Sequence, residues 1–181
     1  MWFVIQTLGG QEEKTADMIR RMVTPDLVEK CFVPKRERLK KFQGNWNKVE
    51  EVLFHGYTFV ISERPEELYK ELKQVPILTK VLGREMDYFF SLSEDEKILV
   101  QELGDQEYKS SLSKIMVGEE KRIHVISGPL KGYSGNIVKV NLHKREVTIE
   151  VGFMGRKMEL KMGIEMVNVE KPNTCMATRK I

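Results

Sequence analysis

Few side chains in this chain of 181 residues can carry covalent or acid–base chemistry. Cys31 and Cys175 lie far apart with no Cys-x-x-Cys spacing, and His55, His124 and His143 fall in no metal-ligand pattern. Neither a Ser/His/Asp nor a Cys/His set is readable, and the carboxylates sit at helix starts or on solvated faces. The sequence therefore points away from an enzyme and implies no metal or other cofactor. What remains is a chemistry of cations and aromatic rings. Lys35-Arg36-Glu37-Arg38-Leu39-Lys40-Lys41 runs into Phe42 and Trp46, a mixture suited to a polyanion, with Lys40, Lys41 and Trp46 as candidate contacts. Such lysines also serve simply to keep a sheet edge soluble. Lys144-Arg145 and Arg156-Lys157 fall at turns, where long cations reach phosphates, with Arg122, His124 and Lys131 nearby in sequence. Glu119, Glu120, Glu146, Glu150 and Glu159 are interspersed, so an ordinary solvated surface is the competing reading. A third set is apolar. Leu53-Phe54-His55-Gly56-Tyr57-Thr58-Phe59-Val60 places rings on either side of a glycine bend, where they either fill a core or line an open hollow.

Several elements must position these groups. Met1 to Thr7 is aromatic and β-branched and reads as a strand buried on both faces. Gln11 to Val23 has helical spacing, with acids in the first turn and arginines in the last, and Thr24-Pro25 stops it. Lys30 to Arg38 and Val49 to Phe54 read as the arms of a long hairpin turning at Gly44-Asn45. A strand after Gly56, a helix from Pro65, a short strand over Ile77 to Leu82 and a helix after the Ser93-x-x-Glu96 capping box complete the first half, with Gly104 as its stop. Tyr88-Phe89-Phe90 reads as a loop packed onto the core. The order predicts an α+β sandwich with helices on one face of a sheet, the other face being free to stay open.

Asp105 to Gly118 has little apolar periodicity and reads as a linker. Beyond it, Val125 to Val140 holds two β-rich runs around Gly128-Pro129, Gly132 and Gly135, which predicts a hairpin of a small curved barrel. Expected strands cover 122–127, 136–141, 146–152 and 157–161, with 166–169 closing the barrel. The expected organisation is 1–104, linker 105–118, 119–171 and a mobile tail 172–181.

A formal net charge of +3 permits nucleic acid without demanding it. With no apolar run near ~18 residues and no signal-peptide start, a cytoplasmic location without membrane attachment is expected.

The run Gly128-Pro129-Leu130-Lys131-Gly132-Tyr133-Ser134-Gly135, with strands on either side, resembles the KOW module, an SH3-like β-barrel. Trp2, Gly10, Glu13 and Leu53-Phe54-His55-Gly56-Tyr57-Thr58-Phe59-Val60 resemble the N-terminal α/β sandwich domain of the NusG transcription factors. Together they cover nearly the whole chain. Within that family Met1-Trp2-Phe3-Val4-Ile5-Gln6, Cys31-Phe32-Val33-Pro34-Lys35 and Gly44-Asn45-Trp46 are most similar to the specialised antitermination paralogues of LoaP type. His55 stands where the family commonly has proline, which leaves the bend without a fixed φ.

The resemblance implies that Leu53, Phe54, His55, Gly56 and Tyr57 receive the clamp helices of RNA polymerase, suppressing pausing and termination. The basic hairpin would lie near upstream or non-template DNA. LoaP-like proteins use the KOW domain on an RNA hairpin, here through Arg122, His124, Lys131, Lys144, Arg145, Arg156 and Lys157. A general elongation factor would instead dock Phe153, Met154 and Arg156 on a ribosomal protein or on the Rho terminator. A monomer is expected in either case.

Overall fold

A computed structural model describes residues 1–78, 89–118 and 122–167. Four strands, β1 (Trp2–Gln6), β2 (Lys30–Phe32), β5 (Tyr57–Ile61) and β6 (Phe89–Ser91), form an antiparallel sheet in the order β2-β5-β1-β6. Register pairs Val4 with Phe59 and Phe3 with Val60, so alternate residues sort to opposite faces. One face carries Ile5, Cys31 and Val60 and packs on helices α1 (Glu12–Met22) and α2 (Pro65–Leu72) through Ala16, Ile19, Leu68 and Leu72. The other face carries Val4, Phe32, Phe59 and Ile61.

That second face is covered rather than open. Helix α3 (Glu94–Leu103) lays Leu99, Val100 and Leu103 in the same core cluster. Its start is fixed by the capping box: the Glu96 N–H donates to the Ser93 hydroxyl, and the Glu96 carboxylate accepts from the Ser93 N–H at 2.8 Å. The remaining cover comes from the C-terminal strands. Phe89 was expected in a loop, but it lies in edge strand β6 and stacks on Phe3 and Tyr69. Of the strand expected over Ile77 to Leu82, Ile77 and Leu78 belong to a helical turn, and the rest lies outside the described residues, as do Tyr88, Lys121 and the tail.

The basic hairpin comprises β3 (Lys35–Phe42) and β4 (Asn45–Val52), turning through Gln43 and Gly44 at φ 47° and 88°. Its base is extended by β7 (Lys109–Ser110), parallel to β3. The C-terminal unit is a five-stranded sheet in the order β10-β11-β12-β8-β9, from β8 (Ser113–Val117), β9 (Ile123–Ser127), β10 (Ile137–Asn141), β11 (Glu146–Phe153) and β12 (Arg156–Met166).

Two expectations are corrected here. The stretch 105–118, read as an irregular linker, contributes β7 to one unit and β8 to the other: β7 pairs with distant β3, and β8 lies between β9 and β12. Residues 128–136 do not close a hairpin: Pro129–Asn136 is a 3-10 run, and β9 and β10 lie at opposite ends of the strand order. Gly128 is nonetheless demanded there. It takes φ 95°, and a Cβ would strike the Ser113 backbone, while the Ser113 hydroxyl accepts from the Leu130 N–H at 3.0 Å.

Candidate functional site

The β11–β12 hairpin turns through Met154 and Gly155, both at positive φ, a twist that matches the flanking strands. This turn delivers Phe153 into the aromatic bend of the N-terminal unit. Its ring centroid lies 4.9 Å from Phe54, 5.6 Å from Tyr57 and 6.1 Å from Phe59. Phe153 is 1% exposed, Phe54 0% and Tyr57 5%. The bend and the turn therefore cover one another. Beside them, the Arg156 guanidinium donates to the Tyr57 hydroxyl and stacks over its ring, and the Glu96 carboxylate accepts the Met154 N–H at 2.5 Å. The Tyr133 hydroxyl donates to Glu102 at 2.8 Å; burial, and then this carboxylate, raise its pKa. Capping residue Glu96 thus has a second task, which nothing in its sequence pattern announces.

The bend itself is held by Glu12. Its buried carboxylate accepts the Gly56 N–H at 2.7 Å, the Gly56 carbonyl accepts from Thr7 N–H at 2.8 Å, and the Thr58 hydroxyl donates to the Glu12 carbonyl. Burial works against this carboxylate's charge, but the Gly56 N–H and further backbone donors outweigh it, so its pKa is lowered. Gly56 sits at φ 83°. His55 is exposed, with Nδ1 3.9 Å from Glu12. The anchor that proline would give through φ is supplied here by a carboxylate forty-four positions upstream.

A second seam is ionic. The Arg36 side chain, 4% exposed, donates to Glu146 at 2.9 Å and to Glu51 at 2.7 Å. Arg38 pairs with Glu51 at 3.1 Å and with the other oxygen of Glu146 at 3.3 Å, and Lys40 reaches Glu51 at 2.7 Å. Although burial works against its charge, the Lys40 hydrogen bond and the two guanidinium groups pull Glu51 down to about 2. Arg145 stacks over Trp46 at 5.1 Å, and a Cβ at Gly163 would run into the Glu37 carbonyl, so the barrel strand abuts the hairpin backbone.

The structure separates the expected site residues into distinct groups. Leu53, Phe54, Gly56 and Tyr57 lie together at the bend, and of the two readings of the rings, core or open hollow, the rings are buried because Phe153 packs on them. Arg145 and Arg156, expected on RNA, are engaged across the seams, and Lys157 pairs with Glu150. Arg122, His124, Lys131 and Lys144 lie on the exposed surface of the barrel. Lys41, with Phe42 and Trp46, is exposed at the hairpin tip. The five charges of the ionic seam do not read as a group in the sequence, since Arg36 and Glu146 are 110 residues apart. Cys31 is buried, and burial raises its thiol to about 12, which removes it as a nucleophile.

An α+β unit with a charged hairpin is thus joined to a small β-barrel, a two-unit plan that recurs in known transcription factors. The family model described as transcription termination factor nusG matches residues 1–101, so the chain belongs to the NusG family. It is 28% identical over 178 residues to the transcription termination/antitermination protein NusG of Thermus thermophilus, covering 92% of this chain and 96% of that protein. The NusG of Pasteurella multocida is 27% identical, with 95% of each covered. A solved structure described as domain interaction in Thermotoga maritima NusG shares the fold, with a TM-score of 0.50, 21% identity and coverage of 90% and 92%. The chain is a NusG-type transcription termination/antitermination factor, not an enzyme. Among the described residues no helix is long and apolar enough to cross a membrane.

Proposed function

We propose that this protein is a processive antitermination factor of LoaP type, with residues 1–104 as the polymerase-facing unit and residues 119–171 as the RNA-facing unit. Phe54 and Tyr57 form the face for the clamp helices of RNA polymerase, and the form described above is its resting state. The observation that carries this reading is the seating of Phe153 among Phe54, Tyr57 and Phe59. An apolar face of this kind suits a helix, and it is held away from solvent until the barrel leaves. The domain interaction in the Thermotoga maritima structure is in keeping with a closed form.

In the closed form Arg122, His124, Lys131 and Lys144 still lie on the surface, so a leader RNA hairpin can be captured before the polymerase face opens. A general factor docking on a ribosomal protein needs the opposite. Its anchors, Phe153, Met154 and Arg156, are those engaged internally. The hairpin tip, through Lys40, Lys41 and Trp46, then lies along upstream or non-template DNA, and the factor works as a monomer.

Transcription in vitro through a terminator tests this reading, with a structured leader upstream or an unrelated hairpin in its place. Leader-dependent readthrough that Lys131→Ala and Lys144→Ala together reduce is expected. Equal readthrough on both templates, with tight capture of a ribosomal protein, would favour the general factor.

A further inference from the structure

Strand β3 carries Arg36, Arg38 and Lys40 at alternate positions, so all three share one face at intervals of about 7 Å. That interval is close to the spacing of successive phosphates along an extended nucleic-acid strand. Among the described ion pairs, the N-terminal unit sets one carboxylate, Glu51, against these three cations, which leaves an excess of two positive charges. The barrel makes up part of the deficit with Glu146. Its two oxygens divide between the guanidinium groups, Oε1 to Arg36 at 2.9 Å and Oε2 to Arg38 at 3.3 Å, as two oxygens of a phosphodiester would. The Arg38 Nε–H is buried and faces no acceptor, so one donor of the row is unused in this arrangement. Outward from the seam the row continues through half-exposed Lys40 to Phe42 at the hairpin tip, in phase with it, whose exposed ring offers a stacking face to bases.

We propose that Arg36, Arg38 and Lys40 form a phosphodiester-binding row for a nucleic-acid strand, that Glu146 occupies its inner end in the closed form, and that strand binding and separation of the two units are therefore coupled. A strand that displaces Glu146 favours opening, and opening strengthens strand binding by the same factor. The displaced carboxylate regains its hydration, which keeps the exchange reversible. This deepens the DNA contact proposed above at Lys40 and adds its coupling to opening. Neither polymerase nor a leader hairpin enters its test, so its failure would leave the polymerase and leader-RNA readings standing.

The test uses the full chain at constant ionic strength, titrated with labelled oligothymidine or oligouridine of about twelve nucleotides. Spin labels at Gln101→Cys and Lys139→Cys, in a Cys175→Ser background, report separation of the units. Strand saturation should lengthen the label distance, and Glu146→Gln should raise strand affinity about tenfold. Glu159→Gln removes the same charge from an exposed site on β12 and should change affinity less than twofold. Gly163→Ala keeps every charge but sterically bars docking, so it should raise affinity as Glu146→Gln does; it also carries the test if Glu146→Gln fails to fold. Arg36→Ala with Arg38→Ala should abolish the gain. Whichever strand binds more tightly identifies the natural backbone. The proposal is overturned if Glu146→Gln and Glu159→Gln behave alike, if strands saturate without lengthening the distance, or if inorganic phosphate at equal phosphate concentration opens the protein as well.

Discussion

The two seams between the units join the same pair of surfaces by opposite physics. At the aromatic seam Phe153 gives up water for ring contacts, and nothing compensates the exposed rings when it leaves. At the ionic seam Arg36 and Glu146 give up hydration to gain each other, and water restores most of that loss on opening. The first seam therefore supplies most of the holding energy. The second fixes register and responds to ions, since a guanidinium row accepts a carboxylate in only a few geometries. On the reading proposed above, a factor that hides an apolar face and opens on demand gains from having both.

Phe153→Ala should produce the largest effect, because a buried phenylalanine lost from a packed site costs about 3 kcal/mol or more. Label distances in the full chain should shift to the open population while the N-terminal sheet stays folded. A closed population unchanged from wild type would move the holding energy to the ionic seam.

Arg36→Ala should follow, at about 2 kcal/mol of docking, because it strands Glu51 and Glu146 without their main partner, and opening relieves only Glu146. The same distance measurement checks it, and replacing both Arg36 and Glu146 with methionine should restore much of the loss. Glu12→Gln acts on the bend rather than on either seam. It should cost about 1 kcal/mol in urea unfolding, through a weaker bond to the Gly56 N–H. A loss above that of Arg36→Ala would show that the bend, not the seams, limits stability.

Between pH 7 and about 5 acid should give the smallest effect. Glu51 is depressed from 4.5 to about 2, so the stability it lends is fully present above pH 4.5 and disappears as pH falls through about 2. The melting-temperature difference between wild type and Glu51→Gln should be constant from pH 7 to about 5 and shrink below that. A difference that shrinks already between pH 7 and 6 would assign the dependence to another group.

The sequence made the elements of each unit legible because their signals are local. The Ser93 capping box and the Gly56 bend appear within a few residues and recur in the structure, as does the basic hairpin, although its arms are Lys35–Phe42 and Asn45–Val52 and Lys30–Phe32 belongs to the other sheet. The strands at 109–117 escaped because β7 is two residues long and pairs only with distant β3, and β8 sits between adjacent β9 and distant β12, whose Ile164 is fifty-one residues from Ser113. The candidate site divides in the same way. Phe54 and Tyr57 could be singled out as a group, but their burial depends on Phe153, and composition cannot say whether a ring's partner is solvent or another domain. Arg36 and Arg38 looked like any cationic edge. Only the fold brings Glu146 between them.

The central claim is that the barrel masks the polymerase face, and the affinity of RNA polymerase for wild type and Phe153→Ala measures it most directly. Apparent affinity scales with the fraction of chains that are open, so Phe153→Ala should bind about tenfold tighter or more. Adding Tyr57→Ala to that variant should remove about 2 kcal/mol of the binding. Equal or weaker binding by a folded, open Phe153→Ala protein would contradict the account.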